Sequence, residues 1–197
     1  MSLWTGEFGN SYTERNANQD IAPRAQMFRQ ILPRNVESVL EVGANIGRNL
    51  EAISSFRSCE LYATEPNDLA RDKLAAWMKD DHVTADFAHK ISFPDGMADL
   101  VMTVGVLIHV SSDDLLPSMW EIYRCSCRWV LCAEYFAPSE ECVPYRGQDE
   151  ALWRRDFGSL WLDNFPDLRC LSCTFAWKRM TGLDNLMFWL FEKTDGH

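Results

Sequence analysis

The feature that most restricts this chain is a regular alternation of short apolar runs with amphipathic ones. "SVLEVG", "CELYATE", "HVTADF", "ADLVMTVGVLIHV" and "RWVLCAEYF" read as five short strands, the fourth ending in a loop near Gly105. Between them "NIGRNLEAISSF", "PNDLARDKLAAWMK" and "SSDDLLPSMWEIYRCS" read as helices. Leu69, Leu74 and Trp77 are expected on the inward face of the second helix, and Ser111, Ser112 and Asp113 are N-cap candidates for the third. An earlier helix is expected from Asn18 to about Leu32, with Ile21, Ala25, Phe28, Ile31 and Leu32 on one face and Pro23 in its first turn. The first sixteen residues show no clean period. Alternation of this kind predicts a mostly parallel sheet with helices on both faces. After Tyr135 the rhythm changes to a long polar connection, "APSEECVPYRGQDE", and an expected helix, "ALWRRDFGSLWLDNF". Two last strands, "DLRCLSCTFAW" and "NLMFWLFEK", are joined through "KRMTGLD" as a hairpin, so the sheet should end in an antiparallel pair.

At 197 residues the chain is most simply one domain. No apolar run is long enough to span a bilayer, no basic region leads into an apolar core at the N-terminus, and the cytoplasm is the expected location. A net charge of −10 repels a phosphate backbone, so no nucleic-acid partner and no membrane partner are expected. Arg154-Arg155 and Lys178-Arg179 are the only candidates for a local basic patch. Seven cysteines without an export signal point to free thiols. Cys125/Cys127 and Cys170/Cys173 are paired in sequence, but the second pair falls on an expected strand, where residues three apart face opposite ways. Packing rather than metal binding is expected of both pairs.

The turn in "VLEVGANIGRNL" carries the functional question. Dinucleotide loops have a second glycine that lets a pyrophosphate approach the backbone at a helix N-terminus. Here that position is Asn45, which crowds a pyrophosphate yet tolerates unusual backbone angles, while Gly43 and Gly47 serve the sharp path and close helix packing. A nucleoside without phosphates suits such a turn, and S-adenosylmethionine is one. Glu65 closes the second strand, 18 residues after Gly47, where a carboxylate can accept both ribose hydroxyls. Glu41 precedes the turn, where an acid suits an ammonium or sulfonium. Asp86, in "TADF", suits the adenine amino group, with Phe87 against the ring.

"LEVGANIG", "ATEPN", "ADF" and "ADLVMTVGVLIHV" resemble, in this order, the motifs of class I S-adenosylmethionine-dependent methyltransferases. More narrowly, "WTGEFGNSYTERN", "GVLIHV", "AEYF" and "YRGQDEALWRRDFG" resemble methylases associated with pseudaminic acid biosynthesis. Gln148 stands where that narrower family leads us to expect histidine, "EALWRRDF" departs from its usual run, and "LDNLMFW" has lost acidic character, all in the acceptor half. The resemblance implies a Rossmann-like, seven-stranded α/β fold with a lid and helix in 1–35, a cofactor-binding core in 36–135 and acceptor-side elements in 136–197. It implies that Ala44, Asn49, Pro66, Val104 and Gly105 complete the cofactor contacts, and that Tyr12 and Arg15 lie in a lid. Arg15 would pair with the methionine carboxylate.

Methyl transfer is an in-line displacement, in which holding the acceptor in place can supply about 7–11 kcal/mol of the barrier. Tyr12, Trp4 and Tyr135 are candidates for an aromatic wall beside the sulfonium, although core packing is the favoured role for Trp4. His109, Glu134 and Tyr135 are the candidate catalytic residues, His109 first as a base and Glu134 second. Tyr145, Arg146, Asp149 and Arg154 are expected to line the site of a small-molecule acceptor, such as a nonulosonic sugar or a related polar metabolite. No metal is expected, and the oligomeric state is open. Three alternatives stand: attack on the other arm of the cofactor, releasing methylthioadenosine; a non-catalytic domain that binds S-adenosylmethionine; and a nicotinamide dehydrogenase, disfavoured by Asn45 and the antiparallel ending.

Overall fold

The computed structural model describes residues 2–194. A seven-stranded sheet runs in the order β3-β2-β1-β4-β5-β9-β8. Its strands are β1 (Ser38–Val42), β2 (Glu60–Thr64), β3 (Val83–Thr84), β4 (Ala98–Val104), β5 (Ser126–Glu134), β8 (Leu168–Ala176) and β9 (Leu186–Lys193). The first five are parallel, and β9 runs antiparallel to both β5 and β8. Two short strands, β6 (Glu141–Cys142) and β7 (Trp153–Arg154), pair apart from the sheet. The helices are α1 (Ser2–Thr5), α2 (Glu7–Asn16), α3 (Ala22–Ile31), α4 (Arg48–Ser54), α5 (Asp68–Ala75), α6 (Ser112–Cys125), α7 (Phe157–Asn164) and α8 (Lys178–Thr181). The expected seven-stranded, mostly parallel sheet with its antiparallel ending is therefore the observed architecture.

Strand parity divides the core. Val39, Leu100, Met102, Leu131 and Leu190 face one side, against Phe28 of α3 and Leu50 and Ile53 of α4. Leu40, Val101, Val130, Cys132 and Phe191 face the other, against Met119 and Ile122 of α6 and Trp161 of α7. Each large side chain removed from water in this way contributes about 1.5–3 kcal/mol. The strand order reverses between β1 and β4, which lie side by side with their connections leaving in opposite directions. That reversal opens a crevice at the carboxyl ends of the strands.

Several local expectations are corrected. The first sixteen residues, without a period, form α1 and α2: Gly9 lets the two pack closely, since a Cβ there would lie 1.8 Å from the Trp4 carbonyl oxygen. Trp77 is not inward: α5 stops at Ala75, and the indole lies 44 % exposed across Gly47. The expected helix from Ala151 starts only after Asp156, whose side chain caps α7 by accepting from Ser159 N, and the preceding residues form β7. The third strand shrinks to Val83–Thr84. A bulge between Cys170 and Ser172 breaks the alternation of β8, so Cys170 and Cys173 border the same shallow depression rather than opposite faces. All seven cysteines are free thiols. Among the described residues no helix is long and apolar enough to cross a membrane, and no cluster of three or more metal-ligating side chains occurs.

Candidate active site

A cavity of about 810 Å³ lies in the crevice, under α1 and α2. Its floor is the turn between β1 and α4. Gly43 (φ 72°), Asn45 (φ 51°) and Gly47 (φ 79°) all adopt the left-handed region, which only glycine and asparagine enter readily. A Cβ on Gly43 would lie 2.8 Å from a Val106 methyl, and one on Gly47 2.6 Å from the Trp77 ring. Asn45 has a task of its own: its Nδ2 donates to Thr13 Oγ1 on α2 at 3.1 Å. The asparagine ties the turn to the helix above it.

Glu65 organises the next edge. Its Oε2 accepts the Asn45 N–H at 2.7 Å and its Oε1 the Asn67 N–H at 2.8 Å. Each oxygen keeps a lone pair for a hydroxyl donor. Burial pushes its carboxyl up, against those two hydrogen bonds. Asn67 caps α5 through Oδ1 and donates from Nδ2 to the Trp4 carbonyl and to Asn10 Oδ1, both at 2.9 Å. Both residues whose N–H groups meet Glu65 thus hold α1 and α2 with their side chains. Arg48 adds a bond from Nη2 to the Ala17 carbonyl.

Glu41 is fully buried and borders the cavity. Asn49 donates to its Oε1 at 2.6 Å, whereas Oε2 has no partner. Burial pushes this carboxyl up to about 8, with Asn49 and the Arg24 charge opposing. A buried acceptor left unpaired costs about 1–3 kcal/mol unless a ligand satisfies it, and a cationic donor would do so best. Arg24, which the sequence reading missed, donates to Asn49 Oδ1 at 3.1 Å and borders the same cavity. Only its place one residue after Pro23, on the helix leading to the turn, hinted at it. Arg15 is exposed and lies 5.7 Å from the Tyr12 ring centroid, at the cavity edge.

Ala44, Pro66, Val104 and Gly105 border the cavity, as do Tyr12, Asp86 and Phe87. Gly47 does not; it acts through packing against Leu74 and Trp77. Asp86 accepts from Thr84 Oγ1, Ser92 N and Ser92 Oγ at 2.7–2.8 Å, which closes the loop behind β3. The Phe87 ring lies 5.8 Å from the His89 ring.

At the other end His109 sits between two rings, Trp4 at 4.4 Å and Tyr145 at 5.1 Å. Its Nδ1 lies 2.6 Å from the Ala151 carbonyl oxygen. A carbonyl can only accept, so Nδ1 carries the proton and Nε2 the lone pair. Burial lowers the imidazole to about 4, with the Ala151 bond opposing, so it is neutral at pH 7. Trp4, expected chiefly to pack, is part of this wall, and Phe8 extends it at 6.1 Å from Tyr145. Arg146, over the Tyr145 ring at 5.7 Å, and Asp149 border the cavity.

Two candidates fall elsewhere, and a third takes another role. Glu134 shares the strand parity of Val130 and Cys132, so it is buried on the α6 side and accepts backbone N–H groups of Val106, Leu107 and Ile108. It does not border the cavity. Tyr135 borders the cavity, but burial pushes its phenol up to about 12, which suits a wall and not a base. Arg154 is exposed on β7 and outside the cavity, whereas its neighbour Arg155 is 2 % exposed and paired with Glu140 at 2.6 Å.

The fold is a Rossmann-like α/β sheet with its cavity in the crevice at the carboxyl ends of the parallel strands. Residues 40–128 match the family model described as a methyltransferase domain. No curated protein sequence matches the chain significantly. Among solved structures, the chain is similar to the Burkholderia thailandensis 1,6-didemethyltoxoflavin-N1-methyltransferase, crystallised with 1,6-didemethyltoxoflavin and S-adenosylhomocysteine. The TM-score is 0.73 at 15% identity, over 98% of this chain and 88% of that one. The mitomycin 7-O-methyltransferase aligns at TM-score 0.72 and 13% identity, over 98% of this chain and 60% of that one. A Thermotoga maritima methyltransferase, possibly acting on histamine nitrogen by its own description, gives 0.67 at 14% identity, over 98% and 99%.

Proposed function

We propose that the chain transfers the methyl group of S-adenosylmethionine to a hydroxyl or amine of a small polar acceptor seated between His109, Tyr145 and the lid. The cofactor supplies an activated methyl on a sulfonium. Glu65 would take the ribose hydroxyls, and Glu41 Oε2 the ammonium. Arg24, whose charge acts on Glu41 and which is less exposed than Arg15, would neutralise the cofactor's carboxylate. Asp86 and Phe87 would border the adenine. The observation that carries the reading is the unpaired Oε2 of Glu41: a buried carboxyl oxygen beside a glycine turn fits a cationic amino-acid arm.

His109 is the group that takes the acceptor proton. Its tautomer is fixed by Ala151, and with Trp4 and Tyr145 beside the ring, Nε2 is the nitrogen left for a substrate. A base this weak in its resting state suits a proton that leaves as the methyl arrives. Tyr145, Arg146 and Asp149 offer one aromatic face and two opposite charges to the acceptor, which suits a sugar acid of the nonulosonic type or a related polar metabolite. The test is incubation with methyl-labelled cofactor and a polar metabolite extract. Label should appear in a small molecule with release of S-adenosylhomocysteine. Methylthioadenosine as the product would overturn the reading. His109→Ala should bind the cofactor normally and turn over slowly; unaltered turnover would make His109 a wall residue only.

A further inference from the structure

His109 rides on a single 3-10 turn, Leu107–His109, whose two ends are held by a buried carboxyl and a buried guanidinium. At its start the N–H groups of Val106 and Leu107 donate to Glu134 Oε1 at 3.2 and 3.1 Å, and that of Ile108 to Oε2 at 3.3 Å. At its end Arg155 Nη1 donates to the Val110 carbonyl at 3.1 Å and to the Leu107 carbonyl at 3.4 Å. A helical turn leaves unpaired N–H groups and partial positive charge at its start, and unpaired carbonyls and partial negative charge at its end. A carboxyl that accepts and a guanidinium that donates here meet the matching ends.

Neither side chain borders the cavity, and both are almost wholly buried. Burying an isolated charge is expensive, so each needs a function or a partner. Arg155 has Glu140 at 2.6 Å and also donates to Ser112 Oγ at 3.2 Å. Glu134 has the three N–H groups, and the Thr103 side chain acts on it as well. The segment that carries Arg155 also supplies the Ala151 carbonyl that fixes the imidazole. The turn and the Ala151–Arg155 segment are therefore cross-linked in both directions, by His109 Nδ1 one way and the guanidinium the other.

We propose that Glu134 and Arg155 are positioning residues for His109, gripping its turn from opposite ends so that the imidazole presents Nε2 to the acceptor. The consequence for turnover rests on the reading of His109 as the acceptor's base; the effect on the imidazole itself does not. Tyr145 is the titratable side chain in ring contact with His109.

The test is nitrogen NMR of the imidazoles in the full chain, titrated with and without S-adenosylhomocysteine. The chain has four histidines, and the His109 signals are those lost in His109→Gln. In the natural protein His109 should remain the Nδ1-protonated tautomer from pH 6 to 8 and titrate near 4. Glu134→Gln leaves one acceptor oxygen and points an NH₂ at N–H donors. It should raise the midpoint by at least about one pH unit and mix the tautomers. Arg155→Lys should act in the same direction, with S-adenosylhomocysteine affinity kept within about threefold. Methyl transfer by either variant should slow by about tenfold or more at saturating cofactor. Unchanged midpoint and tautomer in both variants would overturn the proposal. Should the buried variants not fold, Glu140→Gln decides: a smaller shift in the same direction supports the proposal, and an unmoved titration overturns it. A shift in Glu134→Gln combined with full turnover of His109→Gln would reject the base and leave the positioning intact. The opposite pattern would reject the positioning alone.

Discussion

Cofactor binding should expel a proton from Glu41. In the cofactor-free protein burial holds this carboxyl near 8, so at pH 7 it is neutral in about nine of ten molecules. An ammonium against Oε2 favours the anion and moves the midpoint back toward the ordinary carboxylate range. Binding of S-adenosylhomocysteine at pH 7 should then release about 0.9 proton, and affinity should rise about 50-fold between pH 6 and pH 8 by linkage. Isothermal calorimetry in phosphate and in Tris reads this directly, because the apparent enthalpy differs by the protons released times the difference in buffer ionisation enthalpy. Glu41→Gln, with nothing to titrate, should show no buffer dependence from this site and a flat pH profile over the same range. The reasoning is refuted if the natural protein binds with no buffer dependence, or if Glu41→Gln releases the same number of protons.

Other outcomes follow from the same geometry. The folded-state midpoints of Glu41 and Glu134 are raised to about 8 and 7, so their neutral forms favour the native state below the unfolded midpoint near 4.5, and that contribution is lost as pH rises through 8. His109, lowered to about 4, works weakly the other way below its ordinary 6.5. The net loss of cofactor-free stability between pH 6 and 8.5 is on the order of 3 kcal/mol, measurable by urea unfolding; equal stability at the two pH values would contradict it. Gly43→Ala places a methyl at positive φ, 2.8 Å from Val106, and should cost about 2 kcal/mol of stability together with most cofactor affinity; a normal urea midpoint would count against the strain. Asn45→Gly relaxes the backbone but removes the bond to Thr13. Overall stability should stay within about 1 kcal/mol while proteolysis at the N-terminal helices accelerates, and an unchanged cleavage rate would show that the bond does not hold the lid.

Much of this fold is legible in the chain because its strands are buried on both faces and read as uninterrupted apolar runs such as "SVLEV" and "RWVLCAE". The glycine turn is equally legible, since positive φ at 43, 45 and 47 demands these residue types. Long-range partners are not written locally. Nothing around Glu134 announces that its carboxylate turns to the N–H groups of 106–108, although its parity with Val130 and Cys132 pointed to the α6 face. Arg154, expected at the acceptor site, is exposed while its neighbour Arg155 is buried: in extended chain, neighbours face opposite ways, and the sequence does not say which is inward. α1 and α2 escaped notice because their faces are set by what they cover, the mouth of the cavity, and not by a continuous hydrophobic stripe.

The roof of the cavity is joined to the rest of the chain by a short stretch, Ala17 to Ile21, and is pinned by hydrogen bonds from Asn45, Asn67 and Arg48. These contacts come from residues of the β1–α4 turn and of the start of α5, so the cover over the cavity and its floor are built as one hydrogen-bonded unit.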